Sequence, residues 1–444
     1  MAWPLSAYYH ESVERFLCFV IPPRQRILLI QRADRDYRSR LDPAHAVLLD
    51  PTAPSGGEAQ GDVRSGFSLE GIEGPFDYIV LCDILGFCDD IGSFLRGLTE
   101  LCQRETRVIV LSHSYLWTPL LRIAEALQLK RPGGLANLLS KRDLVSYMTA
   151  SGFQWVGYTP ALLVPLSLLG LGSLLNWLAR CLPFLDWAKL NQFNVFRRMP
   201  VVDAARRPSL SVVLTCRDEK ENIEPLVQGI PRLCPDQEIL FVEGHSVDGT
   251  REEIERVSAA HPDRNVRWIP QPGVGQGDAI REGFSRARGE IIILLEADQT
   301  SPPEEIRFVY HCLRLDHGEF VQGSRFVYPL STDAMPLANQ IGNATFAAIM
   351  SRLFNQHMTD VLSGIKGIHR VHCQRLLARW GQLGVTDPFG DFELLFGAMR
   401  LGLKGVELPV HYGPRSYGKT KTRVLAHGAV LLRMALRAYF LFRR

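Results

Sequence analysis

The segment Ile291-Ile292-Ile293-Leu294-Leu295-Glu296-Ala297-Asp298 constrains this chain more than any other. Five aliphatic residues in succession read as a buried strand. The run then ends in two carboxylates spaced two apart. Carboxylates at the end of a buried strand are costly unless a cation or a polar mouth offsets their charge. Mg²⁺ or Mn²⁺ is the compensation with a chemical use, because such a cation takes oxygen ligands and bridges phosphates. The plain alternative is a strand end capped by acids.

Apolar strands alternate with longer helical segments through both halves, which predicts α/β layers twice over. At 444 residues the chain is too long for one ordinary core. The expected division is a first domain at 1–199, a linker at 200–209 rich in Pro, Arg and Asp, and a second domain at 210–444. Pro51 to Gly66, rich in Gly, Ala, Ser and Pro, is expected to be a surface loop. With 50 Lys and Arg against 47 Asp and Glu, the net charge of +3 gives no global field for nucleic acid, so an anionic partner must meet a local cluster. Nine scattered cysteines without CxxC spacing fit free thiols in a reducing compartment, and the N-terminus lacks the pattern of a signal peptide. A cytoplasmic protein is expected. Ala161 to Trp177 is uncharged but short for a span and broken by Pro165, Gly170 and Gly172, so a buried or interfacial hairpin is expected there. Val424 to Arg444 mixes aliphatic and aromatic residues with Arg433 and Arg437, which share a helix face. It reads either as an interfacial helix on a membrane surface or as a helix packed on its own domain.

In the first domain, Arg26–Ile30, Ala46–Asp50, Phe76–Leu81 and Arg107–Leu111 read as strands of a parallel, doubly wound sheet. Their order, with Asp83 after the third of these runs and the turn Ser151-Gly152-Phe153, resembles a class I S-adenosylmethionine-dependent methyltransferase from about Tyr8 to Arg197. That family places an acid and a glycine-rich turn after its first strand, where only glycine lets the backbone approach the cofactor. Here Leu29 stands in the acidic place, and Gln31, Ala33 and Arg35 stand in the glycine places. Asp50 keeps the position that would hold ribose hydroxyls, though it also suits a helix cap. The departure makes S-adenosylmethionine an unexpected cofactor and favours a degenerate scaffold for docking or membrane placement.

The second domain opens with the strand Leu210–Thr215 and the polar stretch Cys216–Ile223. Glu238–Glu243 is a strand ending in an acid, and Asp248 suits the N-cap of the helix after it. Pro272–Phe284 joins a glycine-rich turn to a helix, followed by the carboxylate strand. Beyond it lie Gly323-Ser324-Arg325, Asp360–Lys366, Asp391-Phe392-Glu393, Glu407–Tyr412 and Arg415–Lys421, the last a local anion site with Lys419, Arg423 and His411. In this order the motifs resemble family 2 glycosyltransferases of the dolichyl- or polyprenyl-phosphate mannosyltransferase type, over about Ser209 to Arg444.

The resemblance implies an α/β chain of two domains, a Rossmann-like methyltransferase-type fold followed by a GT-A nucleotide-sugar-binding fold. It implies donor contacts at Thr215, Arg217, Glu219, Glu243, Ser246, Asp248, Gly275, Asp278, Glu296 and Arg325, and metal ligands at Glu296, Asp298 and Thr300. Catalytic roles fall to Asp298, Asp391, Glu393, Arg415 and Lys421; Arg325 and Lys366 are candidate phosphate partners. Asp391 and Glu393 are two apart on a helix, so only one should point into the site. Glu296 replaces an Asp of the D-x-D motif, Gly244 and His245 replace an Asp and a Gly, and Gln276 replaces a basic residue. The implied reaction is inverting sugar transfer from a nucleotide-diphosphate sugar, with Mg²⁺ or Mn²⁺, to a lipid phosphate or glycan acceptor, by a protein peripheral on the inner face of a membrane. A bifunctional methyltransferase and glycosyltransferase, or a membrane-associated binding protein without turnover, are the alternatives.

Overall fold

The computed structural model describes residues 4–32, 36–51, 63–126, 139–166, 170–330, 334–354, 356–382, 384, 387, 389–415, 417 and 424–442. The chain divides into two compact units, with the break between Pro200 and Val201.

Unit 1 holds strands β1 (Arg26–Ile30), β2 (His45–Asp50), β3 (Val63–Ser65), β4 (Phe76–Cys82), β5 (Cys102–His113), β6 (Phe153–Ala161) and β7 (Asn191–Arg198). They form one sheet in the order β3-β2-β1-β4-β5-β7-β6. The core is parallel, and β7 runs antiparallel to both β5 and β6. Alternation along each strand loads both faces with apolar side chains. Leu28, Ile79 and Val110 meet Phe94 and Leu98 of the helix Ile91–Glu100, while Ile27, Leu29 and Ile109 meet Val13, Phe16 and Leu17 of the helix Pro4–Val20.

Several expectations need correction here. The four strands read as parallel are parallel, and two further strands, β6 and β7, extend the sheet through antiparallel pairs. Val63–Ser65, within the expected surface loop, pairs with β2, while residues 52–62 lie outside the described residues. Ala161 to Trp177 is no hairpin: Ala161 ends β6, and Leu171–Cys181 is a helix with Leu171, Leu174, Leu175, Trp177 and Leu178 exposed. Among the described residues, no helix is long and apolar enough to cross a membrane. Gln31 follows β1 with its side chain buried; Ala33 and Arg35 lie outside the described residues.

Unit 2 holds β8 (Leu210–Cys216), β9 (Gln237–Glu243), β10 (Val266–Pro270), β11 (Ile291–Glu296), β12 (Phe320–Ser324), β13 (Lys366–His369) and β14 (Gly405–Pro409), in the order β10-β9-β8-β11-β13-β12-β14. β8 to β11 run parallel, and β13 is antiparallel to both β11 and β12. The aliphatic run at β11 is fully buried, as its composition demands, against Ile306, Val309 and Leu313 of the helix Ile306–Arg314. Register brings Thr215 opposite Glu296 and Cys216 opposite Glu243. The carboxyl ends of β9, β8 and β11 therefore form one edge, the edge at which open α/β sheets hold ligands.

Candidate functional site

The turns leaving β8, β9 and β11 each carry a non-glycine residue in the left-handed region: Asp218 (φ 53°), His245 (φ 60°) and Gln299 (φ 56°). Such backbone costs on the order of 1 kcal/mol or more per residue and persists only where surroundings fix it. Here the fixing contacts are visible. Asp218 N–H donates to Ser246 Oγ (3.0 Å), Val247 N–H donates to Asp218 Oδ1 (2.9 Å), and Ser246 N–H donates to Glu243 Oε1 (2.6 Å). Glu243 and Ser246 thus shape the turn from inside.

Past β11, Asp298 is buried and divided between two tasks. Its Oδ1 accepts from the N–H and the hydroxyl of Thr300 (3.0 and 2.8 Å), and its Oδ2 accepts from Arg415 Nη2 (2.7 Å). Arg415 Nη1 donates to Glu219 Oε1 (3.0 Å), whose other oxygen accepts from Asn222 (2.7 Å). Arg415, expected to clamp an anionic group, bridges two carboxylates here. The Thr300 hydroxyl, expected as a metal ligand, donates its proton to Asp298 and so orients it. Glu296 Oε1 accepts from Gln276 Nε2 (2.6 Å), and its other oxygen lies so close to Gly364 that a Cβ there would sit 2.5 Å away. Burial, then the neighbouring charges of Asp298 and Asp391, push the Glu296 carboxyl up to about 7.

On the acceptor side, Lys366 and Arg325, the candidate phosphate partners, each hold a buried carboxylate. Lys366 Nζ donates to Asp391 Oδ1 (2.5 Å) and to the Ser363 carbonyl. Arg325 makes a two-pronged bond to Asp360 (2.6 and 2.9 Å) and lies over the Tyr412 ring at 4.9 Å. Burial pushes the Asp360 carboxyl up, but Arg325 outweighs it and holds the group below its ordinary range. Asp391 is lifted to about 6 by burial even with Lys366 pulling it down. Asp387 Oδ2 accepts from the N–H groups of Phe392 and Glu393 and so caps the helix Asp391–Arg400. Asp391 and Glu393 part company as the helix geometry requires: Glu393 turns to Gly381 N–H (3.2 Å), away from Lys366, and burial raises it to about 7.

The remaining expected donor contacts are placed as follows. Thr215 sits half-buried at the end of β8, while Arg217 is exposed with its Nε 3.7 Å from Asp218. Asp248 is not the N-cap, a position held by Gly249; its Oδ1 accepts from Thr250 N–H (2.9 Å), one residue further on. Gly275 (φ 93°) precedes the helix Gln276–Arg286 in a conformation that favours glycine, and Asp278 Oδ2 accepts from Gly273 N–H (2.8 Å), closing the turn. Lys421 lies outside the described residues. Asp360, Tyr412 and Gln276 lie in motifs read from the sequence, but their partners Arg325 and Glu296 are not legible there, because each pair is brought together only by the folded chain.

In these contacts the acids Glu219, Glu296, Asp298, Asp360 and Asp391 outnumber the cations Arg325, Lys366 and Arg415. An excess of acids, with hard oxygen donors at Glu296 and Asp298, fits a divalent cation. Arg415 now stands where part of that charge would be met.

Residues 211–377, within unit 2, match the family described as Glycosyl transferase family 2. A dolichol-phosphate mannosyltransferase of Saccharomyces cerevisiae is 29% identical over 171 residues, 37% of this chain and 62% of the relative. A dolichol-phosphate mannosyltransferase of Pyrococcus furiosus is 24% identical over 218 residues, 48% of this chain and 59% of the relative. The chain thus spans about three-fifths of the length of these two relatives. An uncharacterized glycosyltransferase of Mycobacterium tuberculosis is 28% identical over 229 residues, 50% of this chain and 94% of the relative. The solved glucosyl-3-phosphoglycerate synthase of Mycobacterium tuberculosis aligns at a TM-score of 0.39 with 16% identity, covering 52% of this chain and 80% of that one, a score too low to define the fold.

Proposed function

We propose that unit 2 is a GT-A enzyme transferring a sugar, with inversion, from a nucleotide-diphosphate donor to a phosphate-bearing acceptor, a polyprenyl phosphate or a related glycan precursor. The observation that carries this is the pair of carboxyl groups, Glu296 and Asp298, that ends the buried strand β11 at the ligand-binding edge of the sheet. Glu296 and Asp298 would hold Mg²⁺ or Mn²⁺, which when bound neutralises charge on the departing nucleotide diphosphate. Glu243 and Ser246 shape the nucleotide side of the edge. Asp391, lifted to about 6, is placed to orient or deprotonate an acceptor hydroxyl; a phosphate acceptor needs no base, because its oxygen is already anionic.

The reading of unit 1 as a methyltransferase-like scaffold is supported by its parallel core and its antiparallel β7 inserted between β5 and β6. The buried Gln31 side chain, in a place that family gives to glycine, supports a scaffold that does not hold S-adenosylmethionine. Peripheral attachment at the inner membrane face is supported by exposed Arg433 and Arg437 beside exposed Leu432 and Leu436. The test is nucleotide release from a panel of nucleotide-diphosphate sugars with Mn²⁺ or Mg²⁺, with and without polyprenyl phosphate. Release that depends on both metal and lipid phosphate is expected; release from no donor under any of these conditions would overturn the proposal.

A further inference from the structure

We propose that Arg415 has two stations: it bridges Asp298 and Glu219 in the cation-free protein, and it passes to the donor's diphosphate when a divalent cation takes Asp298. This rests on the metal and donor reading above and adds how the two ligands are coupled.

Cation and arginine compete for a single atom. Asp298 Oδ1 accepts two bonds from Thr300, so Oδ2 is the oxygen left for a cation, and Oδ2 is the atom that Arg415 Nη2 holds at 2.7 Å. Glu296 keeps one oxygen on Gln276 and turns the other toward Gly364, where glycine leaves room for it, so a cation shared by the two acids still needs Asp298 Oδ2. A cation therefore enters by breaking the Arg415 bond. Two residues before Arg415 the backbone is tied to the turn that holds Asp298, because Gly413 N–H donates to the Thr300 carbonyl at 2.7 Å, which keeps the arginine within reach of both stations. That side chain is about a quarter exposed, at 27%, whereas Asp298 is 10% exposed, so the arginine is the partner free to turn outward. Once released, its planar fork matches the paired oxygens of a diphosphate, which a carboxylate-bound arginine cannot reach. Two consequences follow. Cation binding without nucleotide is weakened by the bond it must break, and cation and nucleotide then favour each other beyond simple bridging.

The experiment titrates Mn²⁺ alone by calorimetry into wild type, Arg415→Gln, Arg415→Lys and Asp298→Asn, and then titrates GDP and UDP separately at saturating Mn²⁺. Arg415→Gln is expected to bind Mn²⁺ alone roughly fivefold tighter and the nucleotide that binds wild type roughly fivefold weaker. Arg415→Lys, which keeps the charge without the fork, is expected to bind Mn²⁺ near the wild-type level and nucleotide weakly. Opposite signs for the two ligands are what a merely structural arginine would not give. If Asp298→Asn loses Mn²⁺ while Arg415→Gln binds it no tighter than wild type, the exchange is wrong and the metal site stands. If Asp298→Asn binds Mn²⁺ as wild type does, the metal assignment is wrong and the exchange falls with it.

Discussion

The two units set out similar rows of strand ends and load them differently. In unit 1, Asp83 follows β4 in the left-handed region (φ 51°), and His113 at the end of β5 bridges it (Nδ1 to Oδ2, 2.9 Å) and Tyr9 (Nε2 to the hydroxyl, 3.0 Å). Acid, imidazole and phenol satisfy one another there. In unit 2 the same kind of edge ends in Glu243, Glu296 and Asp298, and its acids outnumber the cations that reach it. A parallel sheet supplies the position; surplus charge decides whether the position calls for a cation and an anionic ligand.

That contrast is broken most forcefully by charge deletion. Lys366→Met strands the buried Asp391 carboxyl, and we expect a loss of about 3 kcal/mol in unfolding free energy by urea titration. Asp83→Asn in unit 1 removes half of a partly exposed pair, with an expected loss of less than about 1 kcal/mol. Equal losses would erase the distinction between the two edges. A smaller effect belongs to the surface: replacing Arg433 and Arg437 together by Glu should weaken binding to anionic liposomes by about 2 kcal/mol at low salt, and by less as salt rises. Sedimentation identical to that of wild type would leave the helix Val424–Phe442 as a packing element only.

Glu393 sharpens the comparison through pH. Its carboxyl is raised by burial from 4.5 to about 7, so the folded state binds this proton more tightly than the unfolded state does. The contribution is full below about pH 4.5 and is lost as pH rises through about 7. Glu393→Gln, which keeps an acceptor for Gly381 N–H, should stabilise the protein by ~1 kcal/mol at pH 8 and leave it unchanged at pH 4. Thermal melts at the two pH values check this, and a stabilisation of equal size at both would refute it. At the bottom of the scale, calorimetry with S-adenosylmethionine should show no binding heat; micromolar affinity would overturn the scaffold reading of unit 1.

The legible parts were those in which one stretch of chain carries the whole signal. The β11 run announced a buried strand because five aliphatic residues stand together, and Glu296 and Asp298 announced a charged mouth because they follow at once. Partners from distant stretches were not legible: Arg325 and Lys366 looked available for phosphate until Asp360 and Asp391 were seen to hold them. β6 and β7 were missed for another reason. β6 contains Gly157 and Pro160, and β7 carries Asn191, Gln192, Asn194, Arg197 and Arg198, a composition that reads as connection rather than strand. Yet Asn191 and Asn194 are fully buried.

The most direct test of the central claim is nucleotide release by wild type and Asp298→Ala, side by side, with the nucleotide-diphosphate sugar that wild type uses and with added Mn²⁺. Asp298 offers a cation its Oδ2, the oxygen that Arg415 otherwise holds, so we expect its loss to lower metal-dependent release by about a hundredfold or more while the fold is kept. Release by Asp298→Ala within a few-fold of wild type would contradict the assignment of the cation, and with it the chemistry, to this edge of unit 2.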